Sequence, residues 1–102
     1  MDIIHANKDS FEKITNMPSV IIDFWAPWCG PCRMLAPVLE EINAEKTDII
    51  IAKVNVDDNP ELAQKYHISS IPAILYFEKG KLVSQTLGYM EKEQLLEKLN
   101  IK

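Results

Sequence analysis

The chain contains two cysteines, and both lie in the stretch Trp25-Ala26-Pro27-Trp28-Cys29-Gly30-Pro31-Cys32. Two thiols at this spacing can form a disulfide and can exchange it with another protein. In that reaction one thiolate attacks the partner's disulfide, and a second thiol within reach resolves the mixed disulfide. The pair therefore predicts a redox site, provided that the fold places the two sulfurs in different surroundings, with one accessible to a partner and the other sheltered.

The flanking sequence predicts this inequality. An apolar, strand-like run from Ser19 to Trp25 precedes the cysteines, and a helical pattern of apolar residues follows them. We therefore place Cys29 at a helix N-terminus, where unpaired backbone N–H groups and the helix dipole favour a thiolate. Cys32 precedes Leu35 and Leu39 by three and seven residues, which puts it on the buried face of that helix. We expect Cys29 to be presented to a partner and Cys32 to be sheltered beneath it.

Two charged residues lie inside stretches that otherwise predict buried strands. Asp23 interrupts the apolar run before the cysteines, and Lys53 interrupts the run from Asp48 to Val56. A buried carboxylate is costly unless it is paired or used, so we interpret Asp23 as functional rather than only structural. In a right-handed strand–helix–strand unit the two strands are parallel and close, which brings Lys53 towards Asp23. A lysine at a strand end can also simply extend to solvent.

Composition and length limit the classes of protein that fit. The 102 residues are 47% hydrophobic and carry a formal net charge of -4. We therefore expect one domain over residues 1–102 and no nucleic-acid or anionic-membrane partner. The N-terminal residues show no secretory signal pattern, and the aliphatic runs are too short to span a membrane. Two cysteines in such a chain indicate catalysis or metal binding rather than a disulfide framework.

The remaining pattern predicts the elements that position these residues. We expect strands near residues 3–5, 19–25, 48–56, 73–77 and 82–87, and helices near 9–16, 32–42, 60–66 and 91–101. Asp9 and Glu12 fit a capping box for the first helix, and Asn59 fits the N-cap of the third. Gly80 fits a tight turn between the last two strands. This order predicts an α/β sandwich with a parallel part and an antiparallel hairpin edge.

Besides Asp23, Lys53 and the stretch from Trp25 to Cys32, the chain contains Pro37 and the pair Ile71-Pro72. In order and spacing, from Ile3 to the last helix, these residues together resemble the thioredoxin family. The resemblance implies a thioredoxin fold, with a central five-stranded mixed sheet flanked by four helices. It also implies a protein-disulfide reductase that needs no cofactor of its own and acts as a monomer in the cytoplasm. Its implied partners are disulfide-containing target proteins and a thioredoxin reductase that uses NADPH and a flavin.

The resemblance also implies a role for each matching residue. Cys29 corresponds to the attacking thiol, Cys32 to the resolving thiol, and Asp23 to a buried acid that accepts the proton of Cys32. Lys53 would tune that acid. A cis bond before Pro72 would expose the backbone of Ile71 for strand-like pairing with a substrate, although the residues alone leave the isomer open. The residues implied to form the docking surface are Trp28, Gly30, Pro31, Ile71, Pro72 and Gly88.

Some positions near the implied docking edge depart from the family pattern. Ser69-Ser70 replaces a segment that includes glycine in many relatives, Ala73 stands where threonine is common, and His67 stands where glycine is frequent. We expect these differences to affect target preference more than chemistry.

Three alternatives to a reductase stay open at the level of the sequence. One is an oxidase or isomerase of the same fold, although the pair Gly30-Pro31 resembles reducing members of the superfamily. Another is a binding subunit whose thiols are idle. The third is a metal-binding module, but Cys29 and Cys32 supply only half of a zinc site, and His5 and His67 are far apart in the sequence. No metal site is predicted.

Overall fold

The computed structural model describes residues 2–102, which form a five-stranded sheet with helices on both faces. The predicted domain of residues 1–102 includes Met1, which lies outside the described residues. None of the helices in residues 2–102 is long and apolar enough to cross a membrane. The strands are β1 (Ile4–His5), β2 (Val20–Trp25), β3 (Ile50–Asn55), β4 (Ala73–Glu78) and β5 (Lys81–Leu87). The helices are α1 (Phe11–Thr15), α2 (Gly30–Glu45), α3 (Pro60–Lys65) and α4 (Lys92–Lys98).

The sheet order is β1-β3-β2-β4-β5, so β2 and β3 lie inside the sheet. β3 runs parallel to both β1 and β2, whereas β4 runs antiparallel to β2 and β5. The predicted mixed sheet is therefore confirmed. Parallel strands need a crossover connection, and α2 supplies it between β2 and β3. Because helices cover both faces, the central strand β2 is apolar at nearly every position, as its sequence predicted.

Each face of the sheet has its own core. On one face, α1 and α3 contribute an aromatic cluster in which the ring centroids of Phe11 and Tyr66 are 5.3 Å apart. On the other face, α2 and α4 bury Leu35, Leu39 and Leu95 completely. Full burial of one leucine side chain stabilises a fold by about 1.5–3 kcal/mol. Helix α2, which begins at the cysteines, is therefore held firmly against the sheet.

The predicted capping box at the start of α1 does not form. The N-cap of α1 is Ser10, and its side chain makes no capping hydrogen bond. Instead, the side-chain oxygen of Asn7 accepts hydrogen bonds from the backbone N–H groups of Asp9 at 2.8 Å and Ser10 at 3.1 Å. Asparagine readily forms such local turns, so it replaces Asp9 and Glu12 in organising the entry to the helix.

Helix α3 and the β4–β5 turn contain residues with distinctive local conformations. Asn59 is the N-cap of α3 as predicted, but its side-chain amide donates to the Asn55 carbonyl at 3.0 Å instead of capping the helix. Just after α3, His67 has a φ of 56°, in the left-handed region that glycine adopts most easily. Gly80 has a φ of 86°, which confirms the predicted use of glycine in the hairpin turn.

Candidate active site

The two cysteines lie where β2 leads into α2. Cys29 is the N-cap of α2, and its Sγ accepts a hydrogen bond from the backbone N–H of Cys32 at 3.2 Å. Gly30 and Pro31 are the first two helical residues, and proline fits there because its missing N–H would have no partner within the helix. The Cys29 sulfur therefore lies at the positive end of a 16-residue helix, which stabilises a thiolate in the reduced protein. The predicted placement of Cys29 is confirmed.

Cys29 and Cys32 are joined in a disulfide, with their Cα atoms 5.2 Å apart. The predicted contrast in exposure is wrong for this oxidised form, since Cys29 is 5% exposed and Cys32 is 2% exposed. Cys29 is covered because Trp25, Val56 and Ile71 pack against the pair. The difference that remains is one of position, because Cys29 precedes the helix and Cys32 lies within its first turn.

The segment before β4 lies beside the disulfide. The Sγ of Cys29 is 3.8 Å from the carbonyl oxygen of Ile71. The bond between Ile71 and Pro72 is cis, which is the isomer that the family resemblance implies. The backbone N–H of Gly88 donates to the Pro72 carbonyl at 2.8 Å, and Gly88 itself has a φ of 84°. Ile71 thus lies next to Cys29, and Pro72 is hydrogen-bonded through its carbonyl oxygen to Gly88.

Asp23 is fully buried in β2, two positions before the end of the strand. Within residues 2–102, neither of its carboxylate oxygens has a hydrogen-bond partner. Burial raises the pKa of Asp23 from 3.8 to about 7, against the opposing effect of the positive charge on Lys53. Strand alternation puts Asp23 on the same sheet face as Ile21, which is the face that α2 covers. A carboxyl group with this pKa can accept and release a proton near neutral pH.

Lys53 lies opposite Asp23 in the register of the parallel strands β2 and β3, so the predicted approach of the two residues is confirmed. No hydrogen bond joins their side chains, since neither oxygen of Asp23 has a partner in the described part of the chain, residues 2–102. The Nζ of Lys53 lies instead 4.7 Å from the centroid of the Trp25 ring, a cation–π distance. Lys53 and Trp25 also line a polar cleft of about 490 Å³ together with His5 and Asn55. Lys53 therefore influences Asp23 through its charge rather than through a direct bond.

The outer surface near the disulfide includes a prominently exposed tryptophan. Trp28 is 68% exposed, and its indole Nε1 donates to the Oδ2 of Asp57 at 3.0 Å. Asp57 is an exposed acid that follows β3, and no pattern in the sequence distinguishes it from other surface acids. Pro31 is also exposed, and a Cβ added at Gly30 would meet no atom within 4 Å. The space beside Gly30 is therefore open.

Three further exposed apolar residues lie close in sequence to the predicted site residues. Met34 lies two residues after Cys32 in α2, and Leu87 and Tyr89 flank Gly88. Their exposed fractions are 60%, 55% and 41%, respectively. Sequence periodicity alone does not separate them from core residues. Each lies within two residues of a candidate site residue in the sequence, but only the folded chain shows that its side chain is exposed.

A metal centre finds no support among the residues that the structure describes. Within residues 2–102, no three side chains of His, Cys, Asp or Glu are grouped so that they could hold a metal ion. The two cysteines are bonded to each other.

The amino-acid sequence is similar to those of known proteins of one family. The family model described as Thioredoxin matches residues 2–101. The chain belongs to the thioredoxin family. The thioredoxin of Bacillus subtilis (strain 168) is 46% identical over 101 residues, which are 98% of this chain and 97% of the relative. The thioredoxin of Listeria monocytogenes serovar 1/2a is 47% identical over 92 residues, covering 89% of each chain. The thioredoxin of Alicyclobacillus acidocaldarius is 53% identical over 77 residues, covering 74% of this chain and 73% of the relative.

Membership of the thioredoxin family, together with the geometry of the cysteines, defines the class of reaction. Thioredoxins are thiol–disulfide oxidoreductases that carry their redox-active disulfide in the protein and need no cofactor. With Cys29 and Cys32 bonded at the start of α2, this chain is a dithiol–disulfide reductase with a thioredoxin fold. The predicted family, fold class and enzyme class are confirmed. The family also implies interaction with thioredoxin reductase and with disulfide-bearing targets.

Proposed function

We propose that this protein reduces disulfides in other proteins, with Cys29 as the attacking thiol and Cys32 as the resolving thiol. The observation that carries the proposal is the position of the Cys29 sulfur at the start of α2, where it accepts a hydrogen bond from the Cys32 N–H. The same interaction favours the Cys29 thiolate in the reduced protein. Cys32 lies inside the helix, within bonding distance of Cys29.

The proposed reaction transfers two electrons in two exchange steps. The Cys29 thiolate attacks one sulfur of the target disulfide, which forms a mixed disulfide and releases the other target sulfur as a thiolate. Cys32 then loses its proton to Asp23 and attacks the Sγ of Cys29. This step forms the Cys29–Cys32 disulfide and releases the second target thiolate. The target is reduced, and this protein is oxidised.

Asp23 is proposed as the base of the second step. Its pKa of about 7 lets it bind the proton of Cys32 and release it afterwards near neutral pH. Lys53 is proposed to tune this base, because its charge lowers the pKa that burial alone would produce. The pairing of Asp23 and Lys53 across β2 and β3 supports both roles.

The proposed docking surface surrounds Cys29. An extended target segment would pair with the backbone of Ile71, whose carbonyl oxygen lies 3.8 Å from the Cys29 sulfur. Pro72 follows Ile71 and accepts a hydrogen bond from the Gly88 N–H, so the proposed surface includes both residues. Trp28, Gly30 and Pro31 would contact the target on the other side of the attacking sulfur.

The proposed partners follow from the need to regenerate the dithiol. We propose that a flavin-containing thioredoxin reductase reduces the disulfide with electrons from NADPH. A reductant of this kind fits the cytoplasm, where thiols are kept reduced. We also propose that residues 1–102 act as a single-domain monomer. The net charge of -4 favours protein targets over nucleic acids and anionic membranes.

Insulin reduction tests the proposed function. The wild-type protein is expected to reduce insulin disulfides with dithiothreitol as the electron source, and with NADPH plus a thioredoxin reductase. Cys29→Ser is expected to abolish attack, whereas Cys32→Ser is expected to retain attack and accumulate a mixed disulfide visible by mass spectrometry. Preferential alkylation of Cys32 in the reduced protein would show that the two roles are reversed. A wild-type protein inactive in both assays would reject the proposal.

A further inference from the structure

Trp28 combines high exposure with a fixed polar contact. Its side chain is 68% exposed, yet its indole N–H is bound to the Asp57 carboxylate at 3.0 Å. Trp28 immediately precedes Cys29 in the chain. A large aromatic residue left in solvent gains little from burial in its own fold, so its position suits contact with a partner.

The chain segment that carries Trp28 is held from two sides. On one side, the Arg33 guanidinium of α2 donates to the Pro27 carbonyl at 2.9 Å. On the other side, Asp57 binds the indole itself. These contacts come from different elements, since Arg33 lies in α2 and Asp57 follows β3. The loop and the ring therefore have separate anchors, and the one for the ring is Asp57.

Asp57 is itself held in place by the turn after β3. Its backbone N–H donates to the Oδ1 of Asn55 at 2.9 Å. The side-chain amide of the buried Asn59 donates to the Asn55 carbonyl at 3.0 Å, which fixes the turn from the other end. Val56, which immediately precedes Asp57, donates its backbone N–H to the Trp25 carbonyl at 2.9 Å. The Asp57 carboxylate thus projects from an ordered turn rather than from a free loop.

We propose that Asp57 is a positioning residue that holds the Trp28 ring as a ready-made apolar contact for protein substrates. The proposal rests on the proposed function and assigns a preference within it. The fixed ring is expected to increase the rate of reduction of polypeptides that carry apolar residues near the disulfide. Small disulfides that do not reach the ring are expected to gain nothing from it. A side chain that is already immobilised loses less conformational entropy when a partner binds.

Nuclear magnetic resonance tests the positioning directly. The chain has two tryptophans, so each indole N–H gives its own signal, and Trp25 serves as an internal control. In Asp57→Ala, the heteronuclear NOE of the Trp28 indole is expected to fall while that of Trp25 stays unchanged. Asp57→Asn keeps an oxygen that accepts a hydrogen bond and is expected to restore most of the effect. Asp58→Ala removes the same charge from the neighbouring exposed position and is expected to change neither signal.

Kinetics tests the consequence for substrates. Reduced wild type and variants are mixed with insulin or with glutathione disulfide, and the second-order rate constants are measured by acid quenching and thiol alkylation. Asp57→Ala is expected to slow insulin reduction about three- to tenfold and glutathione disulfide reduction less than twofold, because one immobilised side chain contributes on this scale. In a Trp28→Ala background, Asp57→Ala is expected to have no further effect, as a double-mutant cycle requires for a residue acting through the ring.

Several outcomes would overturn the proposal. An unchanged Trp28 NOE in Asp57→Ala would show that the carboxylate does not hold the ring. An equal loss of rate with insulin and with glutathione disulfide would place the effect on the sulfurs instead. A full additional loss in the Trp28→Ala background would give Asp57 a role that does not pass through Trp28. If wild type and Asp57→Ala were both inactive with insulin, the proposed function would fail, and this proposal would fail with it.

Discussion

Replacing Asp23 by asparagine tests the central electrostatic feature of the site. The carboxylate is fully buried, and within residues 2–102 it has no hydrogen-bond partner. Its charged form is therefore costly, whereas its protonated form is close to an amide in size and charge. We expect Asp23→Asn to stabilise the oxidised protein relative to wild type by an amount that increases with pH.

The magnitude follows from the pKa of Asp23, which burial raises from 3.8 to about 7. Between pH 3.8 and about pH 7, the folded protein retains a proton on Asp23 that the unfolded chain has released. Folded wild type binds more protons, so its stability falls as pH rises, by about 1.36 kcal/mol per pH unit. The loss is absent below about pH 4, complete above about pH 7, and amounts to roughly 4 kcal/mol. The buried amide of the variant adds an offset that does not depend on pH.

The assay is equilibrium unfolding in urea at several values between pH 4 and pH 9. The free energy of unfolding of Asp23→Asn minus that of wild type is expected to rise across this range by roughly 4 kcal/mol and to level off above about pH 7. Asp58→Asn is the matched control, because it makes the same chemical change at an exposed position, where effects within about 0.5 kcal/mol are expected.

A difference that stays constant with pH would refute this account, because it would show that burial does not penalise the Asp23 charge. A difference that falls as pH rises would mean that attraction to Lys53 outweighs the cost of burial. Either result would also remove the basis for Asp23 as a base near neutral pH.

Two further predictions concern neighbouring features. Lys53→Met is expected to raise the pKa of Asp23 above about 7, since the lysine charge lowers it; a carboxyl ¹³C titration that moved the other way would contradict the charge effect. His67→Gly is expected to raise the free energy of unfolding by about 0.5–1 kcal/mol, because glycine adopts the φ of 56° at lower cost. Urea midpoints measure that gain, and a destabilised His67→Gly would show that the histidine side chain makes a larger contribution than the backbone relief.

The main geometry of the site was predictable from local sequence patterns. The change from a strand period to a helical period places Cys29 at the start of α2, and the structure confirms it. The geometry of parallel crossover units predicted that Lys53 lies near Asp23, and the register of β2 and β3 confirms it. In both cases the signal lies in the regular elements themselves, which local sequence specifies strongly.

Features that depend on distant segments were not predictable in this way. The burial of Cys29 arises because Ile71 and Val56 return to cover it, and residue spacing around the cysteines carries no information about that. The partner of Trp28 is an exposed aspartate after another strand. At α1, Asp9 and Glu12 do not form the predicted capping box, and Asn7 instead organises a local turn just before the helix.

The burial of the Cys29–Cys32 disulfide affects which molecules can reduce it. Trp25 and Ile71 pack against the cysteines, and Cys29 is only 5% exposed. Free small thiols therefore have little access to the disulfide. A partner that docks on the backbone of Ile71, as proposed above, would lie next to the Cys29 sulfur. We therefore expect free small thiols to reduce this disulfide more slowly than a protein that docks beside it.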